Sequence, residues 1–216
     1  GAFKAILVTN SWSANETAPP FIDGGNCKGW EEPPQASYGT NSPCHIVNRT
    51  IKLLESRRVD FVFAAGNNGV CATATGSRGS ISGANSLRQV LTVGAVTLGS
   101  RRLVDSSQGR GIPSLGANKP DISTVGRFTE AAPILQPNRT SAAAALVAGM
   151  VAAVRSKCGS SMSPEQLRAY LTAASNVGLS AIRADGVPIS LAGHDSDFGH
   201  GLLSGEKLVA AGCKAE

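Results

Sequence analysis

Thr140 and Ser141 stand directly ahead of an unbroken apolar run from Ala142 to Val154. Either hydroxyl can cap a helix by accepting a backbone N–H bond. A helix made from that run is apolar on every side and is expected to lie inside a domain. It falls short of the about 20 apolar residues needed to cross a bilayer. Burial would set the Thr-Ser pair at the helix mouth, where unpaired N–H groups and the helix dipole favour negative charge. A hydroxyl held there suits nucleophilic attack on a carbonyl, although on this stretch alone a plain helix cap is the simpler account. Asn67 is a second candidate, in the turn Gly66-Asn67-Asn68-Gly69. Its carboxamide can donate into a cleft, or it can serve only the turn, since Asn tolerates left-handed dihedrals.

The elements that must position these groups alternate between strand and helix. Val59 to Ala65 is a β-branched and aromatic run of the kind buried in parallel sheets, and it breaks into the Asn67 turn. Phe3 to Val8 and Val90 to Val96 read as two more buried strands, and Lys119 to Ile122 as a short extended piece. Ile46 to Leu54 carries apolar residues at 46, 47, 51, 53 and 54, which suits an amphipathic helix ending at Arg57-Arg58. Ser163-Pro164-Glu165-Gln166 is a strong helix start, its helix running to about Ala174, and a short terminal helix follows Ser204. Ala14 to Pro43, dominated by Pro, Gly, Asn and Ser, is an insertion-like loop. The alternation predicts an α/β fold, with its site at the carboxyl ends of the strands.

Composition bounds the class. The 216 residues fit one domain spanning 1–216, with 42% hydrophobic and only 16% charged residues. The formal charge of +5 is scattered and aromatics make up 5%, so neither a nucleic-acid surface nor a membrane partner is expected. No signal peptide is visible, and the apolar run straight after Gly1 suggests a start inside a larger or processed protein. Five cysteines (27, 44, 71, 158, 213) form no CxxC pair, which argues against structural zinc. Cys27 and Cys44 could close the insertion-like loop with a disulfide. Together with N-x-[ST] sequons at Asn15, Asn48 and Asn138, that weakly favours secretion or another oxidising compartment.

Several separated segments resemble one family, in its order. Ala64-Ala65-Gly66-Asn67-Asn68-Gly69 resembles the oxyanion turn of subtilisin-like serine peptidases. Thr140-Ser141-x-Ala143 with Val147-Ala148-Gly149 resembles their nucleophile motif. Thr92 to Val96 and Lys119 to Ile122 match connecting strands, Ser11-Trp12-Ser13 the substrate-pairing edge, and Gly199-x-Gly201 a closing turn. The resemblance implies a subtilisin-like three-layer sandwich with a mostly parallel sheet, present as a partial domain without its amino-terminal strands. It further implies a serine endopeptidase with Ser141 as nucleophile. Asn67 would donate to the oxyanion beside the Ser141 backbone N–H, while Ser11, Trp12, Ser13, Ala64, Ala65 and Gly66 line the substrate channel. No cofactor is implied; calcium is frequent in that family, but no ligand cluster here is assigned to it or to another metal.

Two departures stand out. The family's Gly before Thr-Ser is Arg139, adding bulk where the backbone normally runs close, and its Pro and His after the serine are Ala145 and Leu146. No Asp-Gly or His-Gly-Thr segment precedes Ser11, although the triad's Asp and His come before the serine in subtilisin. The expected partner is therefore an upstream half or separate chain supplying both, without which this chain is inactive. His45 lacks the family's flanking residues. A downstream set of Asp195 or Asp197 with His200 copies the order of α/β-hydrolases, yet Ser141 lacks their Gly-x-Ser-x-Gly elbow. The alternative to a split peptidase is a degenerate, inactive subtilase fold that binds peptides, a reading Arg139 favours.

Overall fold

The computed structural model describes residues 6–11, 43–69, 80–116, 118–127, 139–158, 162–175, 180–190 and 193–211. Trp12, Ser13, Asn15, Cys27, Cys71, Asn138, Cys213 and nearly all of the 14–43 loop lie outside them. Four parallel strands form one sheet in chain order: β1 (Ile6–Asn10), β2 (Val59–Ala64), β3 (Val90–Val96) and β4 (Ile122–Val125). Helix α1 (Ile46–Ser56) precedes β2, and α2 (Thr140–Cys158), α3 (Pro164–Ser175) and α4 (Gly205–Ala211) follow β4. A two-stranded antiparallel ribbon, β5 (Ser180–Ile182) with β6 (Pro188–Ser190), was not expected from the sequence.

β2 and β3 have no solvated face, and their period of two sorts side chains between two layers. Val62 and Ala64 of β2, with Leu91, Val93 and Ala95 of β3, pack against α2, α3 and α4. Phe61, Phe63 and Val90 face the other way, onto Ile51 of α1, and the two rings meet edge to face at 6.0 Å. Helices on both faces of a parallel sheet give the three-layer architecture that the resemblance implied. Each Val, Leu or Phe buried this way contributes roughly 1.5–3 kcal/mol relative to exposure.

Most expected elements appear with shifted ends. β1 runs on to Asn10, β4 starts where the Lys119–Ile122 piece was expected to stop, and β3 matches throughout. At the start of α3 the Gln166 N–H donates to Ser163 Oγ (3.1 Å), and the Ser163 N–H to Gln166 Oε1 (2.8 Å), a reciprocal cap.

Helix α2 departs from expectation. Ala143, Ala144, Val147, Val151 and Val154 are buried against the sheet, but Ala145, Gly149, Ala152 and Ala153 are exposed. One face is covered, not all of them. Thr140–Cys158 also reaches 19 residues, long and apolar enough to cross a membrane by length and composition, although its buried face is committed to this sheet. On α1, Ile46, Val47 and Leu53 are exposed as well, and only Ile51 among its apolar residues is fully buried. An apolar groove of about 440 Å³ lies between α1 and the end strand β1, lined in part by Val8, Val47 and Phe61. The sequon asparagine Asn48 is fully buried, so it is no acceptor for a glycan in this fold.

Candidate active site

Two turns at the carboxyl end of the sheet carry the site. The chain leaves β2 through Gly66, whose φ of 103° is open to glycine and strained for other residues. The turn is then clamped against the segment after β3. The Ser107 N–H donates to Gly66 O (2.8 Å), the Asn68 N–H to Ser107 Oγ (3.1 Å) and the Gly69 N–H to Asp105 O (3.0 Å). A Cβ on Gly69 would fall 2.1 Å from Ser106 O, so the close approach also requires glycine there. This clamp presents Asn67, half-buried, to the start of α2.

The carboxamide meets the helix through its oxygen. Asn67 Oδ1 accepts from Thr140 Oγ1 (2.8 Å) and, at 3.4 Å, from the Thr140 N–H. Thr140 is fully buried, so its hydroxyl has one fixed partner. With Oδ1 held there, the NH2 end of the same group is directed away from Thr140. Arg139 O receives the Ala142 and Ala143 N–H groups and closes the first turn. The Ser141 N–H, in that turn, has no carbonyl within the helix to donate to. Ser141 itself is half-exposed, and its hydroxyl donates to Ser11 O (2.8 Å) just past the end of β1. Ser141, Asn67 and Ser11, three sites read from separate stretches of sequence, therefore meet.

Other expected sites fare differently. Ala64 and Ala65 are buried, and their backbone groups serve the fold. Asn85 Nδ2 donates to Ala64 O (2.5 Å), and the Ala65 N–H to Val93 O (2.9 Å). With Gly66 O taken by Ser107, this stretch supports the site from beneath, not as a free strand edge. Arg139 does not turn its side chain onto Ser141. Its side chain turns to Asp105, Nε lying 2.6 Å from Oδ2. Asp105, Ser107 and Asn85 are supporting residues that the sequence analysis did not single out. The one signal for Asp105 and Ser107 was a polar Asp-Ser-Ser stretch in the segment beyond β3.

The downstream candidates gather elsewhere. His194 Nε2 bonds Pro120 O (2.9 Å), the His200 N–H donates to Asp121 O (2.7 Å), and the two rings pack at 5.3 Å. That is the amino end of β4, whereas Ser11 and Ser141 sit at the carboxyl end of the parallel strands. Asp195 and Asp197 pair with Arg183, and Asp197 also approaches Arg102 (3.7 Å). Burial raises the Asp197 carboxyl above its usual range, against the pull of Arg102. Burial and the neighbouring His194 hold the His200 imidazole below its usual range, against Asp121. Among the described residues no group of His, Cys, Asp or Glu is arranged to hold a metal ion.

Comparison with known proteins agrees with this architecture. Residues 8–201 match the subtilase family, and the chain belongs to it. Among solved structures it is similar in fold to the prenylagaramide maturation protease PagA, at 20% identity and TM-score 0.52, covering 76% of this chain and 55% of that one. Sphericase is similar at 21% and 0.51, with 71% and 50% covered. A protease from Pseudoalteromonas arctica gives 16% and 0.52, with 78% and 47% covered. The chain thus spans about half the length of these structures. No curated protein matches it.

Proposed function

We propose that this chain is the nucleophile-bearing half of a subtilisin-like serine endopeptidase, completed by a segment or separate chain that brings Asp and His. One observation carries the reading: Asn67 is tied through Oδ1 to Thr140, the residue before Ser141, which brings its carboxamide to the start of the helix that carries the Ser141 hydroxyl. Ser141 Oγ would attack the scissile carbonyl carbon and pass its proton to the histidine supplied by the partner half. The oxyanion would take the two N–H groups at a helix mouth whose dipole favours it. The leaving amine takes the proton back, and water then hydrolyses the acyl ester.

The surface supports a partner. A helix whose central residues are all apolar calls for cover on every side, yet Ala145, Gly149 and Ala152 are uncovered. β1 is the end strand among the described residues, with Ile6 and Val8 exposed. Neighbouring strands lie about 4.8 Å apart. A strand added to β1 would thus end one strand spacing from Ser11, whose carbonyl already holds Ser141. A base must come within about 2.6–3.2 Å of the hydroxyl, and a residue at the end of that strand is placed to supply or orient it. Peptide substrate would run along the Ser11–Ser13 segment. The disulfide at Cys158 supports an oxidising compartment.

The degenerate peptide-binding reading has one observation in its favour: Ser141 Oγ donates to a backbone carbonyl and not to a base. A fluorophosphonate probe separates the two. Ser141 is expected to be labelled only when the chain is joined by its upstream half, and Ser141→Ala to abolish labelling. No labelling of the completed protein would overturn the enzymatic reading.

A further inference from the structure

We infer that the Arg139–Asp105 ion pair is a positioning device that fixes the spacing between the two oxyanion donors, an inference resting on the peptidase reading above. The pair joins the two halves of the site from outside it. At one end, Arg139 is the residue whose carbonyl closes the first turn of α2, through Ala142 and Ala143. At the other, Asp105 O holds the Gly69 N–H, and the adjoining Ser107 holds Gly66 and Asn68. The guanidinium therefore links the backbone that carries Ser141 to the clamp that carries Asn67.

The Thr140–Asn67 contact is a single point about which turn and helix can still pivot. A second tie removes that freedom. Its chemistry suits the task, because opposite charges held 2.6 Å apart resist separation of the segments that carry them. Arg139 and Asp105 side chains are 31% and 25% exposed, so the pair adds little to global stability. Its effect is local. A displacement of about 1 Å between reacting groups costs on the order of 10²-fold in rate, far more than such a pair contributes to folding. The residue that replaces the family's glycine thus supports the site without obstructing it.

The test uses the full-length natural protein, with upstream segment present, and two readouts. Hydrogen exchange follows the Gly69 amide against those of β3, and a fluorophosphonate titration follows Ser141 labelling. In Arg139→Leu and Asp105→Asn, Gly69 exchange is expected to quicken about fivefold with β3 unchanged. Labelling at saturating probe should slow about tenfold while the half-saturating concentration stays the same. Arg139→Asp combined with Asp105→Arg should restore both, which a merely structural role for either side chain alone would not. Unchanged Gly69 exchange in both single variants, or a charge swap as impaired as they are, overturns the positioning role. A wild-type protein that resists the probe yet shows the exchange response keeps the tie and loses the enzymatic reading.

Discussion

Asn67 turns its carboxamide oxygen away from its own turn and onto the start of α2. The oxygen is spent on Thr140, which fixes the plane of the group and turns the nitrogen away from that contact. Ordinary turn chemistry needs neither feature. Asn67→Ala in the completed enzyme should leave the fold intact and lower kcat by about 10²–10³, a magnitude borrowed from the equivalent loss in subtilisin; steady-state kinetics on a peptide substrate reads it, and an unchanged kcat refutes the donor role. The start of α2 and the Asn67 turn were legible as local structure because each is a short motif with its own local reason, a helix start and a strand-ending turn. Asp105 and Asn85 were not. Their partners, Arg139 and Ala64 O, are distant in sequence and meet only once the sheet is assembled.

Helices and strands were legible where a single period dominated. β3 and the reciprocal cap on α3 follow directly from residue types. The β5–β6 ribbon escaped because its strands are three residues long, too short to show alternation. Composition indicated that α2 lies inside a domain, yet only one of its faces is covered, because composition cannot say which neighbour covers which face. Inside the fold, α2 is fixed to the sheet by a polar contact that its apolar run conceals. Arg155 donates through Nε and Nη2 to the two carboxylate oxygens of Asp60 on β2 (2.8 and 2.7 Å), and through Nη1 to Met162 O. The side chains are 9% and 5% exposed. Asp60→Ala strands the guanidinium in a buried site and should destabilise the protein by about 3–5 kcal/mol, read as a lowered urea midpoint.

Across the whole molecule, pH acts through the loop that returns to β4. The folded state holds the His200 imidazole below its ordinary value of 6.5, through burial first and His194 second, with Asp121 opposing. The unfolded chain therefore binds a proton more readily than the folded one. This contribution to stability is complete above about pH 6.5 and is lost as pH falls below it. Thermal melts at pH 7.5 and 5.5 should show a smaller acid-induced drop in Tm for His200→Gln than for the unaltered chain. An equal drop would remove His200 from the account.

The rim of β1, the end strand among the described residues and with Ile6 and Val8 exposed, has a consequence for supply. Such a rim is a template for any extended polypeptide, including another copy of the same one. Under the split-peptidase proposal, molecules made in excess over whatever closes the rim would stack together, so the two halves would have to be produced in step. What an unmatched supply spoils first is the yield of usable protein, before any peptide bond is at stake.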